Sequence, residues 1–257
     1  MKQFLLTLSL ALGAVLAAGP AGAITGGEPT GAAHGNVGLL GFDRDGASRG
    51  FCSGTLIAPT IFLTAGHCTA ALAPAGVPVW VSFDVPDDEV ASLPIAVASL
   101  HTAFSPDFGV NGVDIGVAVL ASSASGIQPA ELAPLGYLDE LDAARELRAA
   151  LFTSVGYGRC GRETGGGPPA FCAGGVRRMA TSPFMAINDT WLRLFANETV
   201  TGEGGTCFGD SGGPQLHDGL IVSITTGGDG ACRAHNVNFR VDTPAAQAFL
   251  ADFVDLD

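Results

Sequence analysis

The chain has 257 residues, including 37 glycines, 15 prolines and 6 cysteines, and its formal net charge is −13. This length excludes a disulfide-knotted miniprotein, and a composition of 47% hydrophobic and 14% charged residues excludes a disordered chain. Because the 25 acidic residues outnumber the 12 basic ones and repel phosphate groups, we exclude nucleic acid and anionic membranes as partners. A globular body remains, either one all-β domain or two small halves.

The first 23 residues are typical of a secretory signal peptide. Met1-Lys2 gives a basic start, residues 4–16 form an apolar run, and Ala21-Gly22-Ala23 is a small-residue cleavage site. The apolar run is shorter than the roughly 20 residues of a membrane-spanning helix. We therefore expect cleavage after Ala23 and a secreted protein, extracellular or periplasmic, whose six cysteines form three disulfides.

Short apolar and β-branched runs that end at Gly, Pro, Asp or Asn recur along the rest of the chain and predict strands. They are Val37–Phe42, Gly54–Ile57, Pro78–Phe83, Ile95–Leu100, Asp114–Leu120, Leu151–Tyr157 and Leu220–Thr226. Their spacing is typical of a sandwich or a barrel. Two helices are also predicted, one over Leu138–Leu147 and one at the C-terminus. In the second, Thr243 is the cap, Pro244 lies in the first turn, and the packing stripe is Ala248, Phe249 and Phe253.

Three segments carry reactive groups. They are Leu63-Thr64-Ala65-Gly66-His67-Cys68, Asn111-Gly112-Val113-Asp114-Ile115-Gly116 and Cys207-Phe208-Gly209-Asp210-Ser211-Gly212-Gly213-Pro214. A serine hydroxyl is a weak nucleophile, so Ser211 needs a base such as His67. Asp114 precedes a buried-looking strand, where orienting a histidine would satisfy its carboxylate. The glycines around Ser211 let the backbone turn tightly and direct its N–H groups into one cavity.

In this order, and with these flanking residues, the segments resemble those of the chymotrypsin/trypsin family of serine endopeptidases. The likeness extends from Ile24 to the final helix. It implies an all-β fold of two six-stranded antiparallel β-barrels, with the active site in the cleft between them and a C-terminal α-helix. We expect the first barrel over about 24–130, the second over about 131–242 and the helix over about 243–254. The boundary is expected within Gly126–Arg145, where strand signals lapse.

The resemblance also implies the chemistry. His67, Asp114 and Ser211 would form a catalytic triad, and the N–H groups of Gly209 and Ser211 an oxyanion hole. The reaction would be hydrolysis of peptide bonds through an acyl-enzyme, without cofactor or metal. The expected partners are a protein or peptide substrate and a protein inhibitor, with no nucleic acid, no membrane after signal removal, and a monomeric state.

Six cysteines allow fifteen pairings, and the sequence alone does not choose among them. The resemblance implies the pairs Cys52–Cys68 and Cys207–Cys232. Cys160 and Cys172 remain, and their pairing departs from the commonest patterns of the family. They flank the Gly165–Pro169 run, which we interpret as a surface loop.

The residues after the predicted cleavage site, Ile24-Thr25-Gly26-Gly27, resemble the Ile-Val-Gly-Gly start of activated family members. The resemblance implies that the α-amino group of Ile24 pairs with Asp210 and shapes the oxyanion hole. Signal peptidase would then create the active terminus directly. The alternative is cleavage at another small residue, such as Ala18, which would leave an inactive precursor.

The specificity pocket binds the residue that supplies the scissile carbonyl (P1). By resemblance its floor is Gly205, which carries no carboxylate, and Ser223 binds the substrate backbone. Thr225 and Val237 would narrow the pocket, which predicts a preference for small aliphatic P1 residues. In the alternative, Asp229 bends into the pocket and restores a preference for basic residues.

Two other functions are left open. A catalytically silent relative could bind a partner through its cleft. An esterase or lipase could use the same triad, since Gly209–Gly213 has the letters of a nucleophile elbow, but Pro214 and the strand-like segment after it do not supply the helix that an elbow needs. The acidic loop Asp84–Glu89 could hold calcium, but we favour a solvated turn.

Overall fold

The structure is a computed structural model that describes residues 24–83, 93–107, 112–159, 161–162 and 170–256. Several predictions concern residues outside these ranges. They are the signal peptide over residues 1–23, the acidic loop Asp84–Glu89, Asn111, Cys160 and the loop Gly165–Pro169.

Fifteen strands form within the described residues. Branched and aromatic side chains recur in them, because such side chains pack well on a pleated surface. The strands are β1 Glu28–Pro29, β2 Val37–Arg44, β3 Ala47–Ala58, β4 Ile61–Thr64, β5 Val79–Ser82, β6 Ile95–Phe104, β7 Asp114–Leu120, β8 Leu151–Gly156, β9 Gly161–Arg162, β10 Ala170–Phe171, β11 Arg178–Ile187, β12 Trp191–Phe195, β13 Pro214–His217, β14 Leu220–Gly228 and β15 His235–Arg240.

The helical elements are short. They are α1 Gly66–Leu72, α2 Tyr137–Ala143, α3 Glu198–Thr201, α4 Pro244–Leu250 and the 3₁₀ turns Ala73–Ala75 and Leu147–Ala149. No helix of the described ranges has the length and apolar character needed to cross a membrane.

The strands close into the two predicted six-stranded antiparallel barrels. The first has the order β2-β3-β4-β7-β6-β5, and β2 also pairs with β5. The second barrel has the order β8-β13-β14-β15-β12-β11, and β11 also pairs with β8. Closure removes the free sheet edges that would otherwise be open to aggregation. The first residues differ from the expected layout, because β1 pairs with β11 of the second barrel and not with the first.

An apolar cluster joins the barrels to each other. Val37, Leu63 and Ile115 of the first barrel belong to the same buried cluster as Val155 and Ile224 of the second. Burial of such side chains contributes roughly 1.5–3 kcal/mol each. The relative position of the barrels is therefore determined by a shared core.

Arg177 adds a polar connection at the same junction. Its buried guanidinium donates to the Thr30 hydroxyl at 2.9 Å, to the carbonyls of Val37 and Phe83 at 3.3 and 3.1 Å, and to the Tyr157 hydroxyl at 3.3 Å. Hydrogen bonds of this number offset the desolvation of a buried charge. Arg177 thus links the N-terminal segment to both barrels.

The helix predictions are confirmed in part. The cap is confirmed, because the Thr243 hydroxyl accepts from the Ala246 N–H at 3.3 Å. The predicted stripe is wrong at Ala248, which is exposed, whereas Ala246 and Leu250 are buried.

The predicted helix over Leu138–Leu147 is interrupted. Arg145 has φ +63°, a left-handed conformation that ends α2 before the 3₁₀ turn begins.

Candidate active site

His67 lies in the first turn of α1, directly after strand β4. Two close approaches position this turn. A Cβ atom at Gly66 would lie 2.5 Å from the Ala103 carbonyl oxygen and 2.8 Å from the Ile115 amide nitrogen, so only glycine fits there. The imidazole is 29% exposed, and its ring centroid lies 6.2 Å from that of Phe104. The imidazole therefore contacts the Phe104 ring while part of it stays accessible.

Asp114 begins strand β7 and faces His67. Its carboxylate is 1% exposed, accepts from the His67 backbone N–H at 2.7 Å, and lies 3.0 and 3.2 Å from His67 Nδ1. A carboxylate accepts hydrogen bonds only, so Nδ1 carries the proton in this arrangement. The other ring nitrogen, Nε2, is then free to accept a proton from another group.

The segment from Cys207 to Gly213 forms a tight turn around Ser211. The Asp210 N–H donates to the Cys207 carbonyl at 3.1 Å, and the Gly213 N–H donates to the Asp210 carbonyl at 2.8 Å. Gly209 has φ +99° and Gly212 φ +81°, conformations that L side chains rarely adopt. Within the described part of the chain, the N–H groups of Gly209 and Ser211 have no acceptor. The turn therefore leaves two donors available for a ligand.

This turn packs against the chain that leads to His67. A Cβ atom at Gly212 would lie 2.5 Å from the Ala65 amide nitrogen and would collide with the Thr64 hydroxyl. The Ser211 carbonyl accepts from the Ser53 N–H at 2.8 Å and lies 4.0 Å from the sulfur of Cys68. These contacts bring Ser211 of the second barrel to the end of the first barrel that carries His67.

Asp210 is fully buried behind the turn. It accepts from the backbone N–H groups of Gly158 and Cys207, both at 2.8 Å. Burial raises the pKa of its carboxyl to about 7, although these two hydrogen bonds favour the charged form. Across the described ranges Asp210 forms no ion pair.

Ile24 is also buried, and the next residue binds the segment that precedes the turn. Thr25 and Gly205 exchange two backbone hydrogen bonds of 2.9 and 3.0 Å. The N-terminal segment therefore lies against the chain five residues before Asp210.

The predicted pocket positions are arranged differently from the expectation. The hydroxyls of Ser223 and Thr225 are buried and bind the Gln215 amide, at 3.0 and 2.7 Å. Val237 packs against the cluster between the barrels. These three side chains therefore do not form the walls of an open pocket. Ser223 and Thr225 lie on the same face of β14 because alternate residues of a strand share a face, and the register of β14 shifts only after Thr225.

Asn236, and not Val237, lies next to Gly205, the predicted floor of the pocket. Its Oδ1 lies 2.5 Å from where a Cβ atom of Gly205 would be, and its amide binds both the N–H and the carbonyl of Thr206, at 3.0 and 2.9 Å. This buried side chain was missed because the sequence does not show which face of β15 lies toward Gly205.

Asp229 uses its carboxylate within its own loop. It accepts from the backbone N–H groups of Ala231, Arg233, Ala234 and His235. Although burial opposes ionisation, these donors together lower the pKa of Asp229. The carboxylate is therefore committed to loop structure.

Two disulfides lie in the described residues, Cys52–Cys68 and Cys207–Cys232. Cys172 is also disulfide-bonded, and its predicted partner Cys160 lies outside the described ranges. Among the described residues, Cys52, His67 and Cys68 form the single group of three potential metal ligands, with ligand atoms within 4.8 Å of one another. Both sulfurs belong to the Cys52–Cys68 disulfide, so this group offers no thiolate ligand to a metal ion.

Two further residues that the sequence did not reveal support the turn. The Ser53 hydroxyl donates to the Gly209 carbonyl at 2.9 Å and accepts from the Tyr157 N–H at 2.9 Å. Gly158 abuts Asp210 so closely that a Cβ atom there would lie 2.6 Å from the Asp210 amide nitrogen. The Gly-Tyr-Gly sequence at residues 156–158 was the available signal of such a close approach.

Comparison with known proteins identifies the family. The model of the family described as Trypsin matches residues 24–250. A trypsin from Saccharopolyspora erythraea is 28% identical over 193 residues, which are 71% of this chain and 78% of that protein. A brachyurin from Leptuca pugilator is 28% identical over 194 residues, 72% of this chain and 79% of that protein.

A solved structure shares the fold. HL collagenase has a TM-score of 0.62 and 18% sequence identity, and the match covers 89% of this chain and 97% of that one. At this identity the likeness concerns the two-barrel fold alone. The family model, which spans most of the chain, goes further: this protein belongs to the trypsin family and is a serine endopeptidase.

Proposed function

We propose that His67, Asp114 and Ser211 are the catalytic triad and that the protein cleaves peptide bonds through an acyl-enzyme. The observation that carries this proposal is the buried Asp114 carboxylate, which binds both Nδ1 and the backbone N–H of His67. The packing of Gly212 on the segment before His67 supports the position of Ser211.

The mechanism follows from these contacts. Ser211 Oγ attacks the scissile carbonyl while His67 Nε2 takes the hydroxyl proton and then gives it to the leaving amine. Asp114 keeps Nδ1 protonated and stabilises the imidazolium. The N–H groups of Gly209 and Ser211 donate to the oxyanion, and loss of one such donor typically lowers the rate by about 10²–10³.

Labelling with a fluorophosphonate tests the nucleophile. We expect the label on Ser211, and we expect Ser211→Ala and His67→Ala to abolish labelling. Ser125→Ala is the matched control, because Ser125 is an exposed serine outside the site. Peptide binding without labelling or turnover would overturn the proposal in favour of a binding module.

We also propose that residues 1–23 are a signal peptide and that the α-amino group of Ile24 pairs with Asp210 after cleavage. The burial of both residues and the hydrogen bonds between Thr25 and Gly205 support this proposal. N-terminal sequencing of secreted active enzyme should give Ile24. A start at any other residue would contradict it.

For specificity, we propose a preference for small aliphatic P1 residues, set by Asn236 at the closed floor. The floor has no carboxylate at Gly205, and the loop hydrogen bonds of Asp229 speak against the alternative basic preference. Chromogenic peptides ending in Ala, Val, Phe and Arg measure the preference. We expect Ala or Val to be best, and Asn236→Gly to improve Phe relative to Ala by roughly tenfold in kcat/KM.

Asp229→Asn is the companion variant. It should leave the order of these substrates unchanged. If Arg is the best substrate and Asp229→Asn removes that preference, the small-residue proposal is wrong.

A further inference from the structure

Thr69 lies two residues after His67 in helix α1, and its side chain is fully buried. It packs against strands β6 and β7 where Thr102 and Gly116 lie directly opposite each other. A Cβ atom at Gly116 would lie 2.5 Å from the Thr69 hydroxyl oxygen, so the glycine leaves the space that Thr69 fills. Because Gly116 follows Asp114 by two residues in β7, Thr69 connects the helix of His67 with the strand of Asp114.

The Thr69 hydroxyl belongs to a chain of hydrogen bonds. It donates to the Gly66 carbonyl at 3.0 Å, and its oxygen lies 2.6 Å from the hydroxyl oxygen of Thr102. A hydroxyl has one proton to donate, so Thr102 is the donor in the second contact. The Thr102 hydroxyl thereby keeps the Thr69 proton directed at the Gly66 carbonyl.

This chain ends at the peptide group that also binds Asp114. The Gly66 carbonyl and the His67 N–H belong to one planar peptide bond, and that N–H donates to Asp114 Oδ1 at 2.7 Å. A carbonyl that accepts a hydrogen bond polarises its amide, so the N–H becomes a stronger donor. Since the same carboxylate binds His67 Nδ1, the Thr69 hydroxyl acts on it through a single peptide group.

A threonine hydroxyl in a helix often donates to the carbonyl three or four residues before it, as a purely local feature. Two observations distinguish Thr69 from that case. Its hydroxyl also binds Thr102, which belongs to another element, and the carbonyl it binds belongs to the peptide that holds Asp114. The contact therefore joins three elements around the proposed base.

We propose that Thr69 is a positioning residue for the proposed reaction. Its hydroxyl, held by Thr102, keeps the peptide between residues 66 and 67 directed at the Asp114 carboxylate, and that carboxylate orients the imidazole. This inference rests on the proposed triad. Because Thr69 is buried and does not contact the substrate, loss of its hydroxyl should lower kcat and leave KM nearly unchanged.

Thr69→Ser and Thr69→Ala form a matched pair, because both remove the methyl group and only serine keeps the hydroxyl. With a chromogenic peptide, we expect the kcat of Thr69→Ala to be roughly three- to tenfold below that of Thr69→Ser, the scale of one hydrogen bond, with KM within about twofold. Urea unfolding verifies that both variants are folded under the conditions of the assay. A higher KM with unchanged kcat would contradict the proposal.

Thr55→Ser and Thr55→Ala are the control pair. Thr55 is a buried threonine of β3 in the same barrel, and its hydroxyl has no hydrogen-bond partner among the described residues. These two variants should have equal kcat values. A difference as large as that at Thr69 would show that the loss of any buried hydroxyl in this barrel has the same effect, and the proposal would fail.

Thr102→Ala tests the second hydrogen bond of the chain. It should lower kcat in the parent protein and produce no additional loss in Thr69→Ala, because the two hydroxyls act as one unit. Additive losses would show that Thr102 acts independently of Thr69, and would contradict the proposed chain.

Hydrogen exchange of the His67 N–H tests the chain without catalysis, in protein that carries Ser211→Ala. We expect faster exchange of this amide in Thr69→Ala than in Thr69→Ser, with equal exchange of the other amides of β7 in both. Equal kcat values of the two Thr69 variants, or equal exchange of the His67 N–H, would overturn this assignment alone. A parent chain beginning at Ile24 that cleaves no peptide would instead overturn the proposed triad and this role of Thr69 with it.

Discussion

The buried carboxyl of Asp210 makes stability depend on pH and on the residue at which the chain begins. Two chains test this dependence, one beginning at Ile24 and one that retains Ala23. Both carry Ser211→Ala so that neither can digest itself. In the longer chain residue 24 has an amide nitrogen, so no α-amino group can pair with Asp210.

The magnitude follows from the pKa of Asp210, which burial raises from 3.8 to about 7. In the longer chain, the folded protein keeps this proton up to about pH 7, whereas the unfolded chain releases it near pH 3.8. Folding therefore takes up a proton between these values, and stability falls as the pH rises through them. At about 1.36 kcal/mol for each pH unit, the loss amounts to roughly 4 kcal/mol above pH 7.

If the proposed pairing with Ile24 is correct, the chain that begins at Ile24 should lose much less stability, because its ammonium group would then stabilise the ionised carboxylate of Asp210. Urea unfolding between about pH 4 and about pH 8 measures the free energy of unfolding of both chains. The variant Asp210→Asn of each chain is the reference, because the difference between parent and variant cancels the contributions of all other titrating groups. If Asp210→Asn leaves the pH dependence of the longer chain unchanged, the carboxyl is not its source. Identical profiles for the two chains would refute the pairing with Ile24.

Three further changes have calculable effects. Ser53→Ala leaves the Tyr157 N–H without its acceptor and should cost about 1–3 kcal/mol in urea unfolding, with a lower kcat because the Gly209 carbonyl loses its support. Gly212→Ala forces a Cβ atom into the backbone before His67 and should cost about 3 kcal/mol of stability and most of the activity. Asp242→Asn removes one of the two carboxylates paired with the buried Arg240 guanidinium, and because Asp139 still pairs with it at 2.8 Å, stability should fall by roughly 1–3 kcal/mol without a change in the P1 preference.

Local motifs could indicate the proposed catalytic positions His67 and Ser211, because the backbone requirements of these positions are local. The position of His67 requires a close backbone approach at Gly66, and the turn around Ser211 requires positive φ at Gly209 and Gly212. In both cases the glycines that meet the requirement lie next to the residue in the sequence. The pairing of Asp114 with His67 is not local, since 47 residues separate them. Here the family resemblance, and not the local pattern, supplied the prediction.

The pocket residues could not be predicted in the same way, because a strand exposes alternate faces and one inserted residue reverses them. Thr225 contacts Gln215 and Asn236 lies against Gly205, two contacts between distant segments that the local sequence does not show. Gly227 follows the bulge, and a glycine inside a strand is a general signal of such an irregularity but does not show which residues face the pocket. The left-handed Arg145 that ends α2 has no glycine to signal it.

Ser53 shows what a sequence pattern cannot contain. Its hydroxyl joins Gly209 and Tyr157, which lie 156 and 104 residues away, so the contact exists only once both barrels have closed and docked. The same contact between the barrels packs Gly212 against the segment before His67. The distance from Ser211, the proposed nucleophile, to His67, the proposed base, is therefore a property of the interface between the barrels. A substitution that loosens the shared core without unfolding either barrel should therefore lower kcat more than it raises KM. Such a change displaces Ser211 and His67 from each other. The proposed P1 floor stays intact, because it lies within the second barrel.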